Sequence, residues 1–386
     1  MLRVLAAIAQ GAILALATYN AVTSLWGWRT PEAVAVGDRR RRLRVVIPAH
    51  NEETVIGRLL GDLDQDGYEN RSVWVLADRC TDGTAAVAVE WGASVAERVD
   101  GPSGKGAALG WYLEEYPMDD DDALVIFDAD NRIQAGTLAR IADELDAGAD
   151  VVQCYLDVEN PDESWLTMAS AMSYWAGNRM VQLARSNLGW SADLGGTGMA
   201  FTATALERSG GFGDSLTEDQ ELAVRLGLVG IPVRWLHDAR IRDEKPSELG
   251  AAVRQRARWM SGKRRVSRRY LSRLWRAAGA QRSMALFDQG LRLAQPGRSL
   301  VALLSALLAV LAAVTGSDLL FPWQVWAVAA MIQFLLPIPF LLRDGVPARY
   351  VVRYPVLALL AALWAPIRVL SAFSGGRWYH TPHGDG

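Results

Sequence analysis

With 386 residues, 51% of them hydrophobic, and a mean hydropathy of +0.07, the chain carries more apolar material than two ordinary soluble domains need, and it is read as one large domain plus membrane segments. A net charge of −3 leaves no electrostatic footprint for nucleic acid, which is not expected as a partner. Two cysteines, Cys80 and Cys154, exclude a disulfide framework and suit a reducing compartment, and the four histidines are too scattered for a zinc site.

Residues 2–26 contain one charge, Arg3, and about 20 apolar residues suffice to cross a bilayer core as a helix. The stretch is longer than the apolar region of a signal peptide and only one positive charge precedes it, so a retained anchor is expected. Arg29, Arg39, Arg40, Arg41, Arg42 and Arg44 follow, which by the positive-inside rule puts the next domain in the cytoplasm and the N-terminus outside.

From Arg44 short apolar runs alternate with helical ones: RVVIP, then 52–63; SVWVL, then 84–91; SVAERV, then 105–116; and ALVIF. The alternation predicts a parallel sheet with helices on both faces, binding ligands beyond the carboxyl ends of its strands. Glu52 closes the first strand-end segment, PAHNE, and Asp78 follows the second strand in ADRCTDGT. There a carboxylate can accept hydrogen bonds from a base or ribose, whereas Asp82-Gly83-Thr84 has the form of a turn and helix cap. Lys105 lies in GPSGKG, which lacks the spacing and the Ser or Thr of a Walker loop but can meet a diphosphate at a helix start. The acidic run 119–122 is expected to cap a solvated loop. Asp128 and Asp130 bracket one small residue after ALVIF; as hard oxygen ligands they suit Mg2+ or Mn2+, although a solvated strand end would look the same.

Within 164–189, Trp165, Met168, Met172, Tyr174, Trp175 and Met180 recur near helical spacing, which fits either core or a helix lying at a membrane surface. The loop in SADLGGTGMAF, with Gly196 and Thr197, allows close approach to a sugar. Thr217-Glu218-Asp219 opens a helical run, where capping alone would explain both acids. Gln255, Arg258 and Trp259 of QRARW share a helix face at i, i+3 and i+4. Arg258 can clamp a diphosphate and Trp259 can floor a sugar; a basic interfacial helix with a Trp anchor is the plainer alternative. Residues 254–276 hold ten Lys or Arg and no acid, which favours anionic membrane lipids as contacts. Three more spans are expected at 299–315, 321–342 and 354–373, with Arg343, Arg349 and Arg353 inside and the tail from 375 outside, four crossings in all.

In order and spacing, ADRCTDGT, DAD, TED and QRARW resemble the membrane-embedded family 2 glycosyltransferases, a group that includes the synthases of cellulose, hyaluronan and poly-N-acetylglucosamine. The resemblance covers about residues 44–276. It implies an α/β, GT-A-like Rossmann-type domain with flanking transmembrane helices, divided as 1–28 (span), 29–276 (cytosolic transferase), 277–298 (interfacial), 299–373 (three spans) and 374–386 (tail). It further implies inverting, metal-dependent transfer of a sugar from a nucleotide donor, UDP-linked, to a growing polysaccharide at the inner membrane. Asp219 becomes the base beside Glu218. Glu52, Asp78, Lys105, Asp128, Gln255 and Arg258 meet the donor, Trp259, Gly196 and Thr197 the acceptor, and Asp128 and Asp130 the metal. Ceramide glucosyltransferases carry a similar motif, so single transfer to a lipid is the alternative; a non-catalytic membrane subunit is a third. Four spans are few for a secretion channel, which an accessory subunit or a second copy would have to complete.

Overall fold

The computed structural model describes residues 1–37, 41–213, 215 and 217–370, the last six as backbone only. Eight strands form one mixed sheet: β1 (Arg42–Ala49), β2 (Arg71–Asp78), β3 (Ser94–Arg98), β4 (Asp122–Ile126), β5 (Arg132–Ile133), β6 (Val151–Val158), β7 (Met199–Thr202) and β8 (Val233–Asp243), in the order β3-β2-β1-β4-β7-β6-β8-β5. The first four are parallel, as expected. The fully parallel expectation fails at β7, which runs antiparallel to both β4 and β6. Its register pairs Met199 with Ile126, so the loop that precedes β7 arrives at the carboxyl end of β4. An apolar run such as MAFT reads the same in either direction, and only its partners orient it. Strand order reverses between β1 and β4, which makes their carboxyl ends the expected ligand edge.

Each face of the sheet is covered. Ile56–Gln65, Thr84–Glu90 and Thr137–Asp146 pack on one side through Leu59, Ala88 and Ile141; Lys105–Glu115, Trp165–Gly177 and Glu218–Leu228 pack on the other through Leu109, Met172 and Leu222. Met168, Met172, Trp175 and Met180 are buried, so the methionine and aromatic stripe is core and only Trp165 is exposed. The run 119–122 is not simply solvated: Asp122 is buried, held by Arg42 Nε at 2.7 Å and by Arg44 at 3.1 Å.

Among the described residues three helices are long and apolar enough to cross a membrane: Leu2–Trp28, Arg298–Thr315 and Trp323–Arg343. The fourth expected span, 354–373, is represented by the helix Val356–Leu370, which runs to the last described residue. Its Leu360 and Trp364 pack against Leu166, Ala169 and Ala252 of the α/β domain. Residues 371–373 and the tail 374–386 lie outside the described residues.

Polar contacts order the helix ends. Arg3 meets Asp318 at 3.3 Å, and Gln10 bonds the Leu319 carbonyl at 2.9 Å, which joins the N-terminal end to the turn before Trp323. At the other end Arg179 of the α/β domain bonds the Gly27 carbonyl at 2.9 Å and the Asp344 carboxylate at 2.6 Å, with His237 on the same carboxylate at 2.8 Å. Both the N-terminal helix and Trp323–Arg343 are thereby clamped to the domain. Removing one member of a buried ion pair costs ~3–5 kcal/mol. Asp344→Ala should therefore lower the midpoint of thermal unfolding in detergent, and an unchanged midpoint would show that the clamp is idle.

Candidate active site

The loops after β1 and β2 are laced together at the ligand edge. The Asn51 side chain accepts from the Thr81 N–H at 2.8 Å, the Glu53 carboxylate from the Gly83 N–H at 2.8 Å, and Thr84 Oγ1 from the Glu52 N–H at 2.9 Å. Asp82 accepts from the Thr84 N–H at 3.1 Å, the turn role its sequence suggested. Asp78 is buried at the end of β2, its carboxylate gripped by Arg79 at 2.7 Å and Arg98 at 2.7 Å. Arg98 also donates to the Pro102 carbonyl at 2.7 Å, so the glycine-rich loop before Lys105 hangs from Asp78. Sequence reasoning missed both arginines. Arg79 is the next residue, but Arg98 comes alongside only because β2 and β3 pair Asp78 with Arg98.

At the centre, Lys105 Nζ donates to Asp128 and to the Gly196 carbonyl, the latter at 2.7 Å. The Asp128 N–H donates to Thr197 Oγ1 at 2.9 Å, and Thr197 Oγ1 in turn bonds Asn131. Asn131 also donates to Asp130 at 3.2 Å. The loop before β7 is therefore laid over the end of β4. Asp219 joins from the helix Glu218–Leu228: a Cβ built on Gly196 would lie 3.8 Å from Asp219 Oδ2. Gly106 brings the two helix starts together, since a Cβ there would stand 2.1 Å from the Gly213 carbonyl and 2.8 Å from Glu218 Cβ.

Charge at this point is concentrated. Burial pushes the Asp219 carboxyl up to about 7, and the neighbouring Glu218 charge adds to the shift. Burial also raises Glu218, opposed by Lys105. Burial works against the Lys105 ammonium, but Asp128, Glu218 and Asp219 outweigh it and hold its pKa above the ordinary value. A base must be ionised to act, so a raised pKa places Asp219 in its inactive, protonated form below about 7. The pH profile of kcat/KM should fall tenfold per unit on the acid side of a limb near 7. A profile flat from pH 5 to 8 would exclude Asp219 as the titrating base.

QRARW lies in one long helix, Leu249–Gln281. Gln255, Arg258, Trp259 and Gly262 fall at i, i+3, i+4 and i+7, on one stripe. Gly262 presses on the start of the acidic helix: a Cβ there would be 2.3 Å from Thr217 Cγ2. The stripe therefore faces Thr217-Glu218-Asp219, and Arg258 lies close enough for its charge to act on Glu218. Arg258 Nε is buried without a hydrogen-bond partner.

Asp128 and Asp130 offer hard oxygens at a strand end, and the structure adds Asp243, at the end of β8. One Asp243 oxygen meets Lys245 Nζ at 2.5 Å, while Oδ1 is buried with no hydrogen-bond partner. Burial raises the Asp243 carboxyl, Lys245 opposes the shift, and the charge of Asp128 adds to it. Among the described residues no three such side chains form a ready cage. The donor set fits a divalent cation completed by oxygens of a diphosphate. Asp243 and Lys245 carried no periodic or motif signal; parallel pairing of β8 with β6 delivers them to the ligand edge.

A GT-A-type sheet whose carboxyl edge collects an Asp pair, a lysine and a helix-borne acid defines a glycosyltransferase domain. The family model described as "Glycosyltransferase like family 2" matches residues 41–262, and the chain belongs to that family. It is 26% identical over 230 residues to a β-monoglucosyldiacylglycerol synthase of Nostoc sp., covering 56% of this chain and 48% of that one. It is 31% identical over 170 residues to a probable glucomannan 4-β-mannosyltransferase of Oryza sativa, covering 43% and 32%. The chain thus spans about half, or less, of the length of these relatives. Among solved structures, a mannosyltransferase of Pyrobaculum calidifontis in complex with GDP-Man and Mn2+ aligns over 93% of this chain and 99% of its own, with 21% identity and a TM-score of 0.58. That likeness supports the fold.

Proposed function

We propose that the protein is a membrane-bound, inverting glycosyltransferase that moves a sugar from a nucleotide donor, UDP-linked on the family resemblance, to an acceptor at the cytoplasmic membrane surface. The observation that carries this reading is the meeting of Lys105, Asp128, Gly196, Glu218 and Asp219 at one sheet edge, under the face of the helix that bears Gln255, Arg258 and Trp259. The nucleoside lies over the β1 and β2 ends near Glu52 and Asp78. Lys105 and Arg258 oppose the growing charge of the leaving diphosphate from positions set before reaction. Asp219 accepts the proton of the acceptor hydroxyl, and one displacement at the anomeric carbon inverts its configuration. A divalent cation on Asp128 and Asp130, when bound, neutralises diphosphate charge.

A lipid acceptor is favoured over the polysaccharide suggested by QRARW. Val356–Leu370 packs directly on the helices Trp165–Gly177 and Leu249–Gln281, so the acceptor side borders apolar, membrane-directed surface. In this reading the N-terminus lies on the side of the membrane opposite the catalytic domain, supported by the contact of Arg179 with the Gly27 end of the first helix. Nucleoside diphosphate release by purified protein in vesicles, tested with a panel of donors, decides the reaction class; no release from any donor would overturn it. Mass analysis of the product separates one sugar on a lipid from a polymer.

In the same assay Asp130→Ala should shift the Mn2+ or Mg2+ activation curve to higher metal by tenfold or more and raise the donor KM. Full activity of the parent in excess chelator would remove the metal from the mechanism.

A further inference from the structure

We propose that Arg292, which lies outside the sequence motifs, is a positioning residue for sugar transfer: it latches the loop that carries Gly196 and Thr197 and ties that loop, through Asp288, to Tyr19 of the N-terminal apolar helix. This deepens the glycosyltransferase reading and rests on it.

Arg292 lies on the helix Met284–Ala294. Its side chain is buried, and the guanidinium reaches three partners: Nε donates to Asp288 at 2.8 Å, Nη2 donates to the Ser191 carbonyl at 2.9 Å, and Nη1 forms an ion pair with Asp193. Asp288 is fully buried and also accepts from the Tyr19 hydroxyl at 2.6 Å and from Arg185 at 3.2 Å. Two guanidiniums therefore share one buried carboxylate. The second positive charge is neutralised when the loop brings in Asp193, and a guanidinium left unpaired at that depth is costly. The loop thus closes on an ionic latch. Its other tethers over residues 191–195 are neutral hydrogen bonds: Ser191 Oγ accepts from the Val233 N–H at 3.1 Å, the Gln182 side chain from the Asp193 N–H at 2.8 Å, and the Gln153 side chain from the Gly195 N–H at 2.9 Å.

The same helix touches the other two parts of the reacting centre. Gln289 donates to the Ala223 carbonyl at 2.8 Å, in the helix that begins with Glu218 and Asp219. Lys263, one turn beyond Trp259 on the helix of QRARW, donates to the Arg292 carbonyl at 2.7 Å. Loop, base helix and QRARW helix are all indexed to one element, and Tyr19 fixes that element to the N-terminal helix. Gly196 stands against Asp219 and accepts from Lys105, so slack at Asp193 moves the loop relative to the base; a misplacement of ~1 Å can cost roughly a hundredfold in rate. Lys105 and Asp128 are placed by their own helix and strand, and they keep the donor in place.

The test uses the full chain in phosphatidylcholine vesicles carrying polar lipids extracted from its native membrane as acceptor, with the donor that gives the fastest nucleoside diphosphate release. Asp193 is half-exposed, so Asp193→Asn opens the latch while Arg185, Asp288 and Arg292 keep their buried contacts. It should lower kcat by about tenfold or more, with the donor dissociation constant, the number of donor sites per chain and the unfolding midpoint as in the parent. Asp193→Glu, which restores the charge, should recover part of the loss. Tyr19→Phe removes one hydroxyl at the far end and should lower kcat by about threefold, and the double variant should match Asp193→Asn alone, because two breaks in one connection do not multiply. An unchanged kcat in Asp193→Asn or in Tyr19→Phe would overturn the proposal, as would single losses that multiply in the double variant. A fall in donor sites or in unfolding midpoint that matches the fall in kcat would make the network structural only, and would also overturn it. Absence of nucleoside diphosphate release by the parent from every donor is a different result, and removes the underlying reading itself.

Discussion

Asp219→Asn should lower turnover by roughly two to four orders of magnitude, the usual worth of a positioned base, while donor affinity stays within a few fold. The exchange keeps the size of the side chain and removes its basicity. Two observations set the expectation: Asp219 sits at the start of the helix Glu218–Leu228, facing Gly196, and burial with Glu218 nearby raises its pKa to about 7. A carboxylate poised there is half ionised near neutral pH and takes a proton more readily than one at its ordinary value. The acid limb of the pH profile should disappear in the variant together with the activity. Turnover within tenfold of the parent would give the role of base to another group.

Gly106→Ala should be nearly as damaging although it adds one methyl and touches no charge. The new Cβ would meet the Gly213 carbonyl at 2.1 Å and Glu218 Cβ at 2.8 Å, and the nearer obstacle is backbone. Overpacking of this kind costs about 1–3 kcal/mol. The larger effect is on alignment, because Lys105 is the adjacent residue and Glu218 and Asp219 follow the displaced contact; a shift of ~1 Å at a reacting centre can cost roughly a hundredfold in rate. Thermal unfolding and turnover should both fall, turnover by far the more. Parent-like values for both would mean that the two helix starts move independently.

The parts of this protein that sequence alone determined are those written in short range. An apolar strand followed at once by Asp78 or Asp128 puts a carboxylate at a strand end, Thr217-Glu218-Asp219 announces a helix start, and the spacing of Gln255, Arg258 and Trp259 selects one face of a helix. Strand ends and helix starts are local events, governed by a few dihedral angles and hydrogen bonds within one turn. The long apolar helices are legible for the same reason, since span length and charge are properties of the run itself.

Tertiary structure decided what depends on partners distant in the chain. The direction of β7 cannot be read from four apolar residues, yet it carries Gly196 and Thr197 to the end of β4. Arg98 is an unremarked strand residue until register sets it beside Asp78, and Asp243 with Lys245 carries no signal until β8 pairs with β6. The 354–373 segment reads as a span by composition, and only folding turns its Leu360 and Trp364 onto Leu166, Ala169 and Ala252. The physical reason is common to all of these. Charge compensation and burial are sums over neighbours in space, and the chain has to fold before those neighbours exist.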